Sequence, residues 1–256
     1  MSYVDTHFHL DLWQEADKLV SEIEAKGVYT IAVTNSPSVF DYTFQLTQGK
    51  KYIRPAIGLH PELVAQRQSE LVLFLKCLSQ TRYVGEIGLD YGRRVEEEEI
   101  QRKAFLAILK ACAEQKNKVL TVHSRNSADD VISMLGNSFP GKVIMHWYSG
   151  SLAMLRRGID YGFFFSVNYA MTTSKRGARL IVEIPADRLL TESDGPFVII
   201  KKTPSSPLSI SSVVKNLAGL RKVDHEELAC AIIGNFHSLL AGNETNRSLK
   251  QPDPVM

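Results

Sequence analysis

Near the start of the chain, Asp5, His7 and His9 alternate with Val4, Thr6 and Phe8. That alternation has the period of a β-strand, on which residues two apart share a face. Two imidazoles side by side, with a carboxylate on the same face, suit one divalent metal ion. The seven histidines of the chain stand at 7, 9, 60, 123, 146, 225 and 237. The first five lie at the C-terminal ends of strand-like runs, as do Glu86 and Asp194. An ordinary core or capping histidine is the reading kept for His225 and His237. Five histidines at equivalent positions, by contrast, point to a metal site. His7, His9 and Asp194 can hold one ion, His123 and His146 a second, and Glu86 can bridge the two. Two ions about 3.5–4 Å apart clamp both attacking and leaving oxygens in phosphodiester hydrolysis. Arg125, two residues past His123, offers a fork of N–H donors suited to phosphate.

These residues need a scaffold that brings strand ends together. Strand-like runs cover 4–8, 29–34, 53–58, 83–87, 119–123, 142–146, 163–167 and 189–192. Helical periodicity covers 12–26, 37–48, 70–78, 96–115, 128–135, 151–157, 174–183, 208–220 and 225–241. Repeating strand–helix units imply a parallel sheet. Eight of them predict a closed (β/α)8 TIM barrel, whose active sites lie at the C-terminal strand ends; an open doubly wound sheet is the alternative. Residues 1–241 are expected to form a single catalytic domain. The polar tail from Gly242 to Met256 is expected to be flexible.

The composition fits such a domain: 256 residues, 44% hydrophobic and 23% charged. A net charge of +2 permits a polyanionic partner without demanding one. Cys77, Cys112 and Cys230 are odd in number and far apart, as free thiols in a reducing compartment would be. The chain shows no charged-then-apolar leader and no apolar run near the ~20 residues of a membrane span. A cytoplasmic location is the expectation, with no membrane partner.

Five ordered segments carry a resemblance. They are residues 5–11 (DTHFHLD), 58–61 (GLHP), 85–91 (GEIGLDY), 122–125 (VHSR) and 191–197 (TESDGPF), followed by Gly234-Asn235-Phe236 near the end. Together they resemble the successive signatures of the TatD family of metal-dependent DNases, which is similar in turn to the amidohydrolase superfamily and its distorted TIM barrel. The resemblance implies 3′→5′ exonuclease action on DNA with two divalent ions, Mg²⁺ or Mn²⁺, with Zn²⁺ also compatible. It implies His7, His9, Glu86, His123, His146 and Asp194 as ligands, and His60 and Arg125 as substrate contacts. Three departures stand out. The family's His-Cys-Phe is His146-Trp147-Tyr148, its Asp after His-x-Arg is Asn126, and the segment after the last strand carries Lys201 and Lys202 in place of an arginine. In these the chain resembles the TatD-like component of the Qat anti-phage defence system, which implies other proteins of a defence operon as partners.

The expectation is therefore a nuclease in which Asp194 orients or deprotonates the attacking water, Glu86 bridges the ions, and Lys201 and Lys202 anchor phosphate. An amidohydrolase cleaving C–N or ester bonds of a small molecule would use nearly the same ligands. A barrel serving mainly as a binding platform is the third reading, and it leaves six metal ligands without a purpose.

Overall fold

The computed structural model describes residues 2–92 and 94–241. Eight strands carry the fold: β1 (Val4–Phe8), β2 (Tyr29–Ala32), β3 (Ile53–Ile57), β4 (Tyr83–Asp90), β5 (Val119–Arg125), β6 (Lys142–Met145), β7 (Phe164–Val167) and β8 (Leu189–Thr191). Each pairs in parallel with the next in chain order. The helices between them are α1 (Ala16–Lys26), α2 (Phe40–Thr47), α3 (Pro61–Val64), α4 (Glu70–Cys77), α5 (Val95–Gln115), α6 (Ala128–Leu135), α7 (Leu152–Asp160), α8 (Tyr169–Thr173) and α9 (Lys175–Ile181). After β8 come α10 (Ile210–Arg221) and α11 (His225–Leu240). The expected (β/α)8 barrel is the observed one. Among the described residues no helix is long and apolar enough to cross a membrane. The expected tail lies outside the described residues.

The seam between β1 and β8 is closed largely through side chains. The Thr6 hydroxyl donates to Thr191 O, the Thr191 hydroxyl donates to Val4 O, and Asp5 Oδ1 accepts the Ser193 N–H at 2.9 Å. Just beyond the strand ends, Asp194 N donates to His7 O and His9 N donates to Gly195 O. Asp5 is wholly buried here. Burial pushes its carboxyl up to about 8, against the lowering pull of the Ser193 and His7 hydrogen bonds.

Local sequence explains the helix ends. Asp224 caps α11 by accepting from Glu226 N and Glu227 N, and Ser151 caps α7 by accepting from Met154 N. Gly27 ends α1 in the left-handed region at φ 65°. Three boundaries differ from expectation. The helix expected from Leu12 begins only at Ala16, because His9 is pinned to Gly195 and the chain turns through a short 3-10 segment, Leu10–Leu12. Strand β4 runs on to Asp90, where the Gln101 side chain supplies both a donor and an acceptor to the Asp90 backbone. The loop expected over 201–207 contains a small hairpin, β9 (Ile199–Ile200) with β10 (Thr203–Pro204). Its two turn residues, Lys201 and Lys202, both have positive φ, as a tight two-residue hairpin turn requires.

Candidate metal centre

Glu86 lies near the middle of β4 and is 3% exposed. Two glycines let it and its neighbour strand in. A Cβ on Gly58 would stand 1.9 Å from Thr34 O and 2.3 Å from Glu86 N; one on Gly88 would stand 2.1 Å from His123 O. Only bare backbone fits at these approaches, so β3, β4 and β5 close up around the carboxylate.

The two oxygens of Glu86 face different sets of imidazoles. Oε2 lies 3.4 Å from His7 Nε2 and 3.4 Å from His9 Nε2. Oε1 lies 2.7 Å from His123 Nδ1, 3.3 Å from His146 Nε2 and 3.4 Å from His60 Nε2. Asp194 Oδ1 completes the first set, 3.5 Å from His9 Nε2 and 3.9 Å from His7 Nε2. His7 and His9 point their Nε2 atoms at each other across 3.3 Å, which confirms the shared face that their spacing predicts.

Those donors fit a divalent ion. The three ligand atoms of His7, His9 and Asp194 lie within 4.8 Å of one another, and so do those of His60, Glu86 and His123. All are nitrogen or carboxylate oxygen, suited to first-row divalent metals and Mg²⁺ alike. A third grouping, His7 with His146 and Glu192, is less suited, because both Glu192 oxygens are taken. Oε1 accepts from Trp147 N and Asn168 Nδ2, each at 3.0 Å; Oε2 accepts from the Ser166 hydroxyl and faces His146 Nδ1 at 3.2 Å.

The surroundings orient the rings. His7 Nδ1 lies 2.7 Å from the Thr121 hydroxyl, which can accept its proton and leave the Nε2 lone pair facing Glu86. Burial, and after it the neighbouring His146, lowers His7 to about 4, so its imidazole is neutral at pH 7. Burial also opposes charge on His9, His123 and His146, but their carboxylate partners outweigh it. His9 is raised to about 9 by Asp194 and Glu86, His123 is raised by Asp90 and Glu86, and His146 is raised well above its usual value by Glu192 and Glu86. Burial alone would raise Glu86; the surrounding histidines, His60 and His7 foremost, hold it well below the usual range. An ion bound at these nitrogens would compete with protons there.

His60 Nδ1 accepts the Glu62 N–H at 3.2 Å, so in neutral His60 the hydrogen sits on Nε2, facing the cluster. That tautomer makes His60 a donor toward Glu86 and not a ligand, so of its grouping with Glu86 and His123 only the latter two keep an atom for an ion. Arg125 stands at the rim, with Nε on Asp90 at 3.1 Å and Nη2 on Glu62 at 2.9 Å. Asn126 donates to Tyr91 O from a left-handed backbone. His60, Arg125, Trp147, Asp194 and Phe197 are among the residues lining a cavity of about 370 Å³ over the cluster. Lys201 and Lys202 are exposed at the hairpin turn and are not among that cavity's lining residues. His225 and His237 lie outside the cluster, in α11.

Spacing overlooks two carboxylates here. Asp90 holds His123 Nε2 at 2.7 Å, and Glu192 holds His146. Both stand an even number of residues from a ligand candidate, Asp90 four after Glu86 and Glu192 two before Asp194, so period-2 counting was the available signal.

Comparison with known proteins follows the same lines. The profile of the family described as TatD related DNase matches residues 4–241. A relative named as an uncharacterized metal-dependent hydrolase, YabD of Bacillus subtilis, is 28% identical over 93% of this chain and 99% of its own length. One named as a 3′-5′ ssDNA/RNA exonuclease, TatD of Erwinia billingiae, is 28% identical over 88% of this chain and 93% of its own. The crystal structure of YJJV, a TatD homologue from Escherichia coli K12, superposes with a TM-score of 0.83 at 24% identity, covering 93% of this chain and 97% of that one. The match takes in every strand of the barrel and every residue gathered around Glu86, and on it the chain belongs to the TatD family of metal-dependent hydrolases.

Proposed function

We propose that the chain is a metal-dependent nuclease that hydrolyses phosphodiester bonds of DNA, working inward from 3′ ends. The divided Glu86 carboxylate carries this reading, with one oxygen toward His7 and His9 and the other toward His123 and His146. That division suits two ions, Mg²⁺ or Mn²⁺, with Zn²⁺ a third candidate. His7, His9 and Asp194 would hold one, His123 and His146 the other, and Glu86 both. When bound, such ions supply Lewis acidity toward a phosphoryl oxygen and make water easier to deprotonate. Asp194, 3% exposed yet lining the cavity, takes the proton of the attacking water. His60 donates from Nε2 to a phosphate oxygen. Arg125 does the same by exchanging its contact with Glu62, while Asp90 keeps Nε in place. The relative named as a 3′-5′ ssDNA/RNA exonuclease supports the choice of substrate and polarity.

We extend the reading to a cytoplasmic enzyme acting in anti-phage defence beside other proteins of a defence operon. The three free cysteines and the resemblance set out above are its support.

The test is to incubate end-labelled single- and double-stranded DNA with the protein and Mg²⁺, Mn²⁺ or EDTA. Shortening of 3′ ends is expected with metal and none with EDTA. Full activity after exhaustive chelation, or turnover of small amides and lactones in place of DNA, would overturn the proposal.

A further inference from the structure

The cavity over the metal centre is chemically two-sided. Along the arc from β3 to β5 its wall is mostly polar, with His60, Glu62, Asp90 and Arg125 and one aliphatic residue, Leu63. Beyond β6 and β8 it is aromatic, with Trp147 on one side and Phe197 on the other. Phe197 is 56% exposed, a large apolar surface left open beside a charged cluster. It is not loose, for its ring stands edge-on to His9 at 5.0 Å and its N–H donates to Asp194 O. Trp147 is anchored through its own N–H on Glu192, and its ring stands edge-on to His146 at 6.4 Å. Each aromatic residue is thus built onto a ligand candidate or its supporting carboxylate. Neither has a partner of its own kind among the described ring contacts.

We propose that Trp147 and Phe197 form a nucleobase-stacking subsite that selects an unpaired terminal nucleotide. The inference rests on the nuclease reading and deepens it. A phosphate held between Arg125 and the cluster leaves its nucleoside toward the aromatic wall. A flat base meets π surface there, whatever its identity, which gives affinity without sequence preference. A base seated on Trp147 has left its helical stack, so a frayed or single-stranded end enters and a paired end must first open.

The experiment uses two oligonucleotides that differ only in carrying ordinary or abasic residues at both ends. The metal-loaded protein is expected to prefer the ordinary ends in kcat/KM by roughly 5- to 150-fold, the worth of one stacked base. Trp147→Ala should bring that ratio toward one, and Trp147→Phe, which keeps a π face, should retain most of it. A second readout needs no turnover. In a Trp13→Phe background Trp147 is the sole tryptophan. Its fluorescence should be quenched by deoxynucleoside monophosphate and left unchanged by deoxyribose phosphate. A wild-type ratio near one, or no quenching, overturns the subsite even where DNA is cleaved. Quenching without cleavage of either oligonucleotide upholds the subsite and overturns the nuclease reading.

Discussion

Replacing Glu192 by Gln changes one oxygen to an amide and nearly nothing in volume, yet the surroundings dictate a specific outcome. Four donors converge on the carboxylate, two on each oxygen. An amide NH₂ must therefore face one donor pair. On the Oε1 side, Trp147 N can only donate, and Asn168 is held by its Oδ1 accepting from Met171 N. On the Oε2 side, the Ser166 hydroxyl can rotate to accept, and His146 can change tautomer. The NH₂ is thus driven toward His146, which accepts on Nδ1 and carries its hydrogen on Nε2. That hydrogen points at Glu86 Oε1, 3.3 Å away, and occupies the lone pair a metal would use. Losing such an orienting partner lowers metal affinity about 10- to 100-fold. The exchange of charge-assisted for neutral hydrogen bonds costs the ion-free fold about 1–3 kcal/mol. Titrating Mn²⁺ into EDTA-stripped wild type and Glu192→Gln by calorimetry, with circular dichroism to verify folding, measures both. Equal Mn²⁺ affinities in two folded proteins would refute the tautomer argument.

Asp194→Asn should keep the fold and much of the metal, since an amide oxygen still coordinates, while kcat drops about 10²- to 10⁴-fold for want of a base; near-normal turnover would reduce Asp194 to a turn residue. Lys201→Ala with Lys202→Ala should raise KM for DNA more than it lowers kcat and flatten the slope of log affinity against log salt by roughly one to two units. An unaltered slope would make the exposed hairpin turn a bystander and leave anchoring to Arg125. Burial pushes the Cys112 thiol up to about 12, against a lowering pull from Lys118, while Cys230 is exposed. At pH 8 a thiol reagent should therefore label Cys230 first and reach Cys112 only on unfolding, as peptide mapping would show.

Strand–helix alternation was enough to read the barrel, because each unit buries its own apolar face and the pattern repeats. It was enough for the ligand candidates too, since a histidine at a strand end lies on the active face of such a barrel wherever it falls in the chain. The supporting contacts of Asp90 and Glu192, unlike the gathering of the ligand candidates, were not legible. His146 and Glu192 are 46 positions apart and meet because each directly follows the last residue of its strand, β6 or β8. The hairpin at Lys201 and Lys202 was hidden because lysines occupy turn positions that usually call for Gly or Asn. The extension of β4 to Asp90 follows its ladder with β5, which runs on to Arg125, and the Gln101 side chain ties the Asp90 backbone as well; neither leaves a periodic trace.

The Thr6, Thr191 and Asp5 contacts at the seam tie the beginning of the chain to a point some 187 positions later. His7 and His9 are made first and must wait for Asp194, which reaches them only when that join forms. Closing so long a loop is the slow, entropically opposed part of building such a molecule. A nascent chain, or one truncated before Asp194, therefore has His7 and His9 without the carboxylate that completes their grouping. The candidate centre is therefore completed only late in synthesis, once the chain has run past Asp194 and the seam has formed.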